Sequence, residues 1–297
     1  PKEDIHDEIL KSFVYWLKAK IILVKITALS EDNAYTIFET MNDRGLNLTQ
    51  SEMLKGFILS KYDNEADRKF TNEVWKKDIL SFNNFDKETD SVFFQSWFRA
   101  KFADTIRQSK VGSLNIDFES IGTRFHNWFK ENFDKGLLKE AIHDNIKLFV
   151  DNNYSFYRDK FILIKNAEIL FDKDLEHVFY IKRWGIAPSL AYPLLLSPLC
   201  LGDDPNTCKL KIDLVAKYID GFVVRRSTNF KNFGASSIRY TMRTLTKEIR
   251  NTPLPDLQVI LSDKMKEIDE SLNFKNALQE FHLHGTNGYF IKYYLCR

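Results

Sequence analysis

The sequence predicts a mainly α protein, in which a short α/β segment is followed by an irregular multi-helix domain. Two observations predict this class. Apolar residues recur at intervals of three and four along most of the chain, which is the spacing of one buried helix face. A single short β-branched run, IILVKIT at 21–27, has the composition of a strand. We therefore expect one domain over residues 1–62 and a helical domain over residues 63–297.

The first domain is expected to contain a helix, the strand, a second helix, a polar loop and a third, capped helix. Apolar residues share one face of the first helix over residues 3–19: Ile5, Ile9, Phe13, Trp16 and Leu17. Thr49 and Glu52 have the spacing of a capping box that starts the third helix. The buried positions of that helix are predicted to be Met53, Leu54, Phe57 and Ile58. A lone strand needs a pairing partner, and the sequence begins at Pro1, so we expect a segment of a longer protein.

Composition narrows the class of protein further. The formal net charge of +2 is too small to indicate a nucleic-acid or membrane partner by itself. Three widely spaced cysteines, Cys200, Cys208 and Cys296, favour a reducing compartment and buried thiols. The longest uncharged run, residues 185–202, carries three prolines and is interpreted as a buried pair of helices. The 25 phenylalanines lie at helical core spacing. We expect a cytoplasmic protein without a membrane partner.

The polar loop between the second and third helices contains Asn42, Asp43, Arg44 and Gly45. Two interpretations of this loop remain open. It is either an ordinary helix connection, since Asn, Asp and Gly all favour turns, or an anion site. In the second case the guanidinium of Arg44 binds phosphate, and Gly45 lets a ligand approach the backbone ahead of a helix start.

The stretch FETMNDRGLNLTQSEMLKGFILSKY resembles the end of the N-terminal domain of the GmrSD-type restriction endonucleases, a ParB-like nuclease/NTPase family of bacteria. The matching residues, in order, are Phe38, Asn42, Asp43, Arg44, Gly45, Leu48, Leu54 and Lys55. Two later stretches, YIDGFVVRRSTNF and GYFIKYYLCR, resemble that family's helical region and the segment before its HNH-type nuclease domain. The first domain is then the C-terminal remnant of a ParB-like domain.

The resemblance implies the central part of an NTP-dependent, modification-sensing DNA endonuclease of the bacterial cytoplasm, used against foreign DNA. A nucleoside triphosphate with Mg²⁺ would bind at Asn42, Asp43, Arg44, Gly45 and Lys55. The Asp-Gly-Gln-Gln-Arg motif and the HNH signature of the family do not occur in this sequence. No catalytic residue is therefore assigned, and this segment alone is expected to be inactive.

A basic stretch in the helical domain predicts contact with DNA. Its members are Arg225, Arg226, Lys231, Arg239, Arg243 and Lys247. Arg239, Arg243 and Lys247 are four residues apart and share one helix face, opposite an apolar stripe. An ordinary solvated or internally paired face is equally consistent with this pattern, and a non-catalytic DNA-binding or partner-docking scaffold is the alternative function. His282 and His284 have no third ligand nearby, so no metal site is predicted.

Overall fold

The computed structural model describes residues 2–22, 27, 37, 48–106, 117–135, 138, 145–273 and 276, without the side chains of 2–8 and 134. The chain forms two compact units, Pro1–Asn47 and Leu48–Arg297. These described residues are mainly helical and contain no strand, which confirms the mainly α prediction. Residues 23–26 of the predicted strand lie outside them, so the ParB-like remnant stays a prediction.

The first unit contains helix α1, Lys2–Lys20, at the predicted position. The helices of the second unit are α2 Gln50–Ser60, α3 Glu65–Asn83, α4 Thr89–Lys101, α5 Asp117–Asp134, α6 Ile146–Leu148, α7 Ser155–Ile169, α8 Glu176–Arg183, α9 Pro188–Leu196, α10 Pro205–Thr228, α11 Ala235–Glu248 and α12 Leu254–Ser271. A π-helical turn, Phe149–Tyr154, joins α6 to α7. A 3₁₀ turn, Lys173–Leu175, precedes α8.

Helix α2 begins as the capping-box pattern predicts. The side chain of Thr49 accepts a hydrogen bond from the Glu52 amide, and Glu52 accepts one from the Thr49 amide at 2.8 Å. All four predicted apolar positions of this helix are buried. Although the sequence assigns α2 to the first domain, it lies in the second compact unit, where it packs on α5.

The core of the second unit is aromatic and is centred on α4. The most deeply buried rings include Trp75, Phe82, Phe93, Phe94, Trp97, Phe98, Phe125, Phe129 and Phe161. Helix α4 packs against α3, α5, α7 and α9, so it is surrounded on several sides. This explains why its sequence, TDSVFFQSWFRAK, is apolar on most faces, and it confirms that these phenylalanines form core.

The apolar run 185–202 forms one helix, α9, so the expected pair of helices is wrong. The helix tolerates Pro193 in its interior and ends before Pro198, which has no amide hydrogen with which to continue it. Lys101 instead binds the carbonyls of Ser197 and Leu199, at 2.7 and 2.6 Å. Nearby, Cys208 is buried and Cys200 is half-buried, and neither forms a disulfide; Cys296 lies outside the described residues.

Candidate functional site

The predicted nucleotide-binding residues divide into two groups. Asn42, Asp43, Arg44 and Gly45 lie outside the described residues, so their role stays a prediction. Lys55 is described, and it lies on α2, less than one turn after Glu52 of the capping box. The described part of the candidate site consists of residues that follow the polar loop in the sequence.

Lys55 lines a cleft of about 480 Å³ between α2, α3 and the start of α4. Its charged lining residues are the cations Lys55, Lys76 and Lys87 and the carboxylates Glu52 and Asp90. One wall is apolar and consists of Trp75, Ile79 and Leu80. The cleft thus places three amines and an apolar wall around one concave surface.

Two lysines of this cleft, Lys55 and Lys76, are close enough to affect one another. Burial lowers the pKa of Lys55, and the positive charge of Lys76 lowers it further. Lys76 is bound in turn by Glu73, whose carboxylate accepts a hydrogen bond from its Nζ at 2.8 Å. An anion in the cleft would offset the repulsion between Lys55 and Lys76.

Two polar side chains are buried at the edge of the cleft. Ser51 is 1% exposed, and its hydroxyl has no hydrogen-bond partner within the described part of the chain. Asp90 is 6% exposed, and it forms no ion pair with any described residue. Buried polar groups are normally hydrogen-bonded, so these two side chains are suited to a ligand.

The arrangement fits the parts of a nucleotide. Ammonium groups bind phosphate oxygens, and the apolar wall offers a surface for a base. Mg²⁺ in nucleotide sites is held by one or two carboxylates together with substrate phosphates, and Asp90 is a carboxylate of that kind. Within the described residues, no group of three or more histidine, cysteine or acidic side chains is placed to hold a metal ion.

The cations predicted to contact DNA at the end of α10 are engaged within the protein. The Arg225 guanidinium forms a two-pronged ion pair with Asp269 on α12, with Nη2 3.1 Å from Oδ2. The Arg226 guanidinium donates to the carbonyl of Asn232, from Nε at 2.9 Å. Lys231 is exposed in the turn that follows.

The cations on α11 also face the protein. Arg243 donates from Nη1 to Glu119 at 2.7 Å, and Arg239 lies 3.8 Å from the same carboxylate oxygen. Lys247 donates to the carbonyl of Asp104 after the end of α4. The predicted apolar stripe of α11 is buried, so both faces of this helix have partners. The role of these cations in binding DNA stays a prediction.

One contact with no local signal in the sequence joins His177 to Asp213. The Asp213 carboxylate lies 2.8 Å from His177 Nδ1 and accepts from the His177 amide at 2.9 Å. His177 also lines a second cleft of about 450 Å³ beside α10 and α12. His177 and Asp213 are 36 positions apart in the sequence, and no periodic pattern links them. His282 and His284 lie outside the described residues.

None of the helices that the structure describes combines the length and apolar character needed to cross a membrane. Comparisons of the chain with models of protein families, with curated proteins and with solved structures find no match.

Proposed function

We propose that this chain is the central part of an NTP-dependent, modification-sensing DNA endonuclease that acts against foreign DNA in the bacterial cytoplasm. The observation that carries the proposal is the cleft that groups Lys55, Lys76 and Lys87, since Lys55 also belongs to the sequence motif that begins at residues 42–45. The amines bind the phosphates of the nucleotide, and the family resemblance implies that Asn42, Asp43, Arg44 and Gly45 bind it as well.

Each group of the cleft has a role in this proposal. Lys55 and Lys87 bind phosphate oxygens, and Lys76 adds positive charge while it stays bound to Glu73. Asp90 would hold the Mg²⁺ that shields the triphosphate charge. The helical body couples this nucleotide site to the nuclease or contacts DNA. Most of the cations predicted to contact DNA have protein partners, and this favours coupling over a DNA-holding scaffold.

The test is to titrate the chain with ATP and with GTP, in the presence and absence of Mg²⁺, and to measure the binding affinity by calorimetry. Lys55→Ala and Lys87→Ala are each expected to weaken nucleotide binding about 10-fold or more, because each removes a charge-assisted contact with phosphate. Lys77→Ala is the matched control, since Lys77 is an exposed lysine on the same helix as Lys76 and does not line the cleft. Its nucleotide affinity should equal that of the wild type.

Equal nucleotide affinities for the wild type, Lys55→Ala and Lys87→Ala would contradict the proposal. Arg44→Ala extends the test to the polar loop. If Arg44 contacts phosphate, this variant weakens binding to a similar extent, while circular dichroism reports an unchanged helical content.

A further inference from the structure

Three arginines from α4 and α11 lie near one carboxylate at the start of α5. Arg99 comes from α4, Arg239 and Arg243 come from α11, and Glu119 comes from the first turn of α5. Glu119 Oε1 accepts from Arg243 Nη1 at 2.7 Å and lies 3.8 Å from Arg239 Nη1. We call these four residues the arginine cluster.

The two inner arginines are buried and incompletely hydrogen-bonded. Arg99 is 4% exposed and donates from Nε and Nη2 to the carbonyl of Phe118, at 2.9 and 2.8 Å. Among the residues that the structure describes, neither Nη1 of Arg99 nor Nε of Arg243, which is 7% exposed, has a hydrogen-bond partner. A buried N–H group without a partner costs free energy, and the cost is larger for a charged group.

The cluster also carries more positive than negative charge. Burial lowers the pKa of Arg99 to about 10, and the charge of Arg243 contributes to this shift. The hydrogen bond from Arg243 lowers the pKa of Glu119, which therefore stays ionised. One carboxylate thus faces three guanidinium groups, and a second negative charge would be stabilised at this position.

We propose that the arginine cluster binds an oxyanion of the phosphate type, and that the Glu119 carboxylate occupies the oxyanion position when no ligand is bound. A guanidinium presents paired donors that match the oxygens of phosphate. Glu119 and Arg239 are about half exposed, at 48% and 49% of their side chains. The carboxylate can therefore rotate into water while Arg239 and Arg243 bind the incoming oxyanion. The ligand is either free phosphate or a phosphodiester of nucleic acid.

The test compares a variant that lacks the competing carboxylate with a variant that lacks one of the arginine donors. Inorganic phosphate is the probe, and the ionic strength is held constant. Glu119→Gln removes the competing negative charge and is expected to tighten phosphate binding about fivefold. Arg239→Ala removes an exposed donor and is expected to weaken it about 10-fold. Phosphate also raises the unfolding temperature of proteins to which it does not bind, because it is excluded from their surfaces. The rise that phosphate causes in Arg239→Ala measures this non-specific part, and the additional rise in the wild type reports binding.

Glu131→Gln is the matched control, because Glu131 is an exposed carboxylate of the same helix and lies 3.7 Å from Lys135. Phosphate affinities that agree within about twofold for the wild type, Glu119→Gln and Arg239→Ala would overturn the proposal. If Glu119→Gln does not fold, the comparison of Arg239→Ala with the wild type still decides, since Arg239 is exposed.

A second pair of measurements identifies the source of the phosphate and separates this site from the nucleotide cleft. If duplex DNA displaces phosphate from Glu119→Gln and not from Arg239→Ala, the site binds nucleic acid. If Glu119→Gln binds phosphate and DNA does not displace it, the site binds free phosphate. The effect of Glu119→Gln should persist in a Lys87→Ala background, because Lys87 belongs to the other cleft. Loss of the effect in that background would overturn a separate site.

Discussion

The carboxylate of Asp117, at the start of α5, forms hydrogen bonds with the backbone that follows α4. Its Oδ2 accepts from the amides of Asp104 and Thr105, both at 2.9 Å, and its Oδ1 accepts from Trp128 Nε1 at 3.0 Å. Burial raises the pKa of Asp117, but these donors favour the ionised form more strongly and leave the pKa below its usual value. The carboxylate therefore stabilises the fold in its ionised form.

We expect Asp117→Asn to lower the free energy of unfolding at pH 7 by about 1–3 kcal/mol, because an amide cannot accept all three hydrogen bonds. The folded pKa lies below the unfolded value of about 3.9, so the wild-type advantage is present above pH 4 and is lost as the pH falls through the folded pKa. Urea titrations at pH 7 and pH 3 measure the difference. Asp86→Asn, at an exposed carboxylate, is the control. A difference that is the same at both pH values would show that the charge of Asp117 is unimportant.

Side-chain contacts between residues that are close in the sequence could be predicted, whereas contacts between residues far apart in the sequence could not. The capping box of Thr49 and Glu52 was predictable because its geometry depends only on a spacing of three residues. The bond between Asp117 and Trp128 spans 11 residues, and the pair His177 and Asp213 spans 36. Such pairs depend on how helices and loops pack, which no local pattern specifies.

A break inside α5 shows how one element is held by another. At Arg124 the backbone leaves the helical region, with φ −146° and ψ 64°. The side chain of Gln50, from the start of α2, donates to the Thr123 carbonyl at 2.8 Å and accepts from the Phe125 amide at 3.0 Å. The amide group of Gln50 thus satisfies the two backbone groups on either side of the break.

We expect Gln50→Ala to lower the free energy of unfolding by about 1–2 kcal/mol, because it leaves two backbone groups without partners. Hydrogen exchange should accelerate at the Phe125 amide. Gln50→Glu keeps the acceptor and loses the donor, so it should retain protection at Phe125 better than Gln50→Ala. Gln258→Ala, at an exposed glutamine of α12, is the control. Unchanged exchange at Phe125 in Gln50→Ala would mean that Gln50 does not hold the break.

The sequence predicts which face of a helix is buried, but it does not predict which element packs against the opposite face. The apolar stripe of α11 was predicted correctly, since it follows from helical spacing. The same spacing places Arg239, Arg243 and Lys247 on one side, but it does not show what packs there. In the structure that side meets Glu119 and the carbonyl end of α4, where cations are favoured by the helix dipole.

The second compact unit is held together by the aromatic core around α4. Phe93 is fully buried, and its ring contacts those of Phe82, Phe94, Trp97, Tyr154 and Phe161 with centroids 5.0–5.9 Å apart. These rings come from α3, α4, the π-helical turn and α7. The composition predicted an aromatic core, but the set of helices that share it is a property of the folded unit.

We expect Phe93→Ala to lower the free energy of unfolding of the second unit by about 3–5 kcal/mol, because it removes a buried ring that joins several helices and leaves a cavity. Phe93→Leu fills much of that space and should cost less. Phe70→Ala, at a ring that is 66% exposed, should change stability by less than about 0.5 kcal/mol. The three variants are comparable because each replaces a phenylalanine of the second unit by a smaller aliphatic side chain.

Tryptophan fluorescence in urea measures this effect on the second unit alone if Trp16 of the first unit is replaced by Phe. The remaining tryptophans, Trp75, Trp97, Trp128 and Trp184, all belong to the second unit. If the unit unfolds as one cooperative body, Phe93→Ala lowers the urea midpoint without changing the slope of the transition. A midpoint equal to that of Phe70→Ala would show that the rings around α4 do not form a common core. A shallower transition would show that α3, α4 and α7 unfold separately.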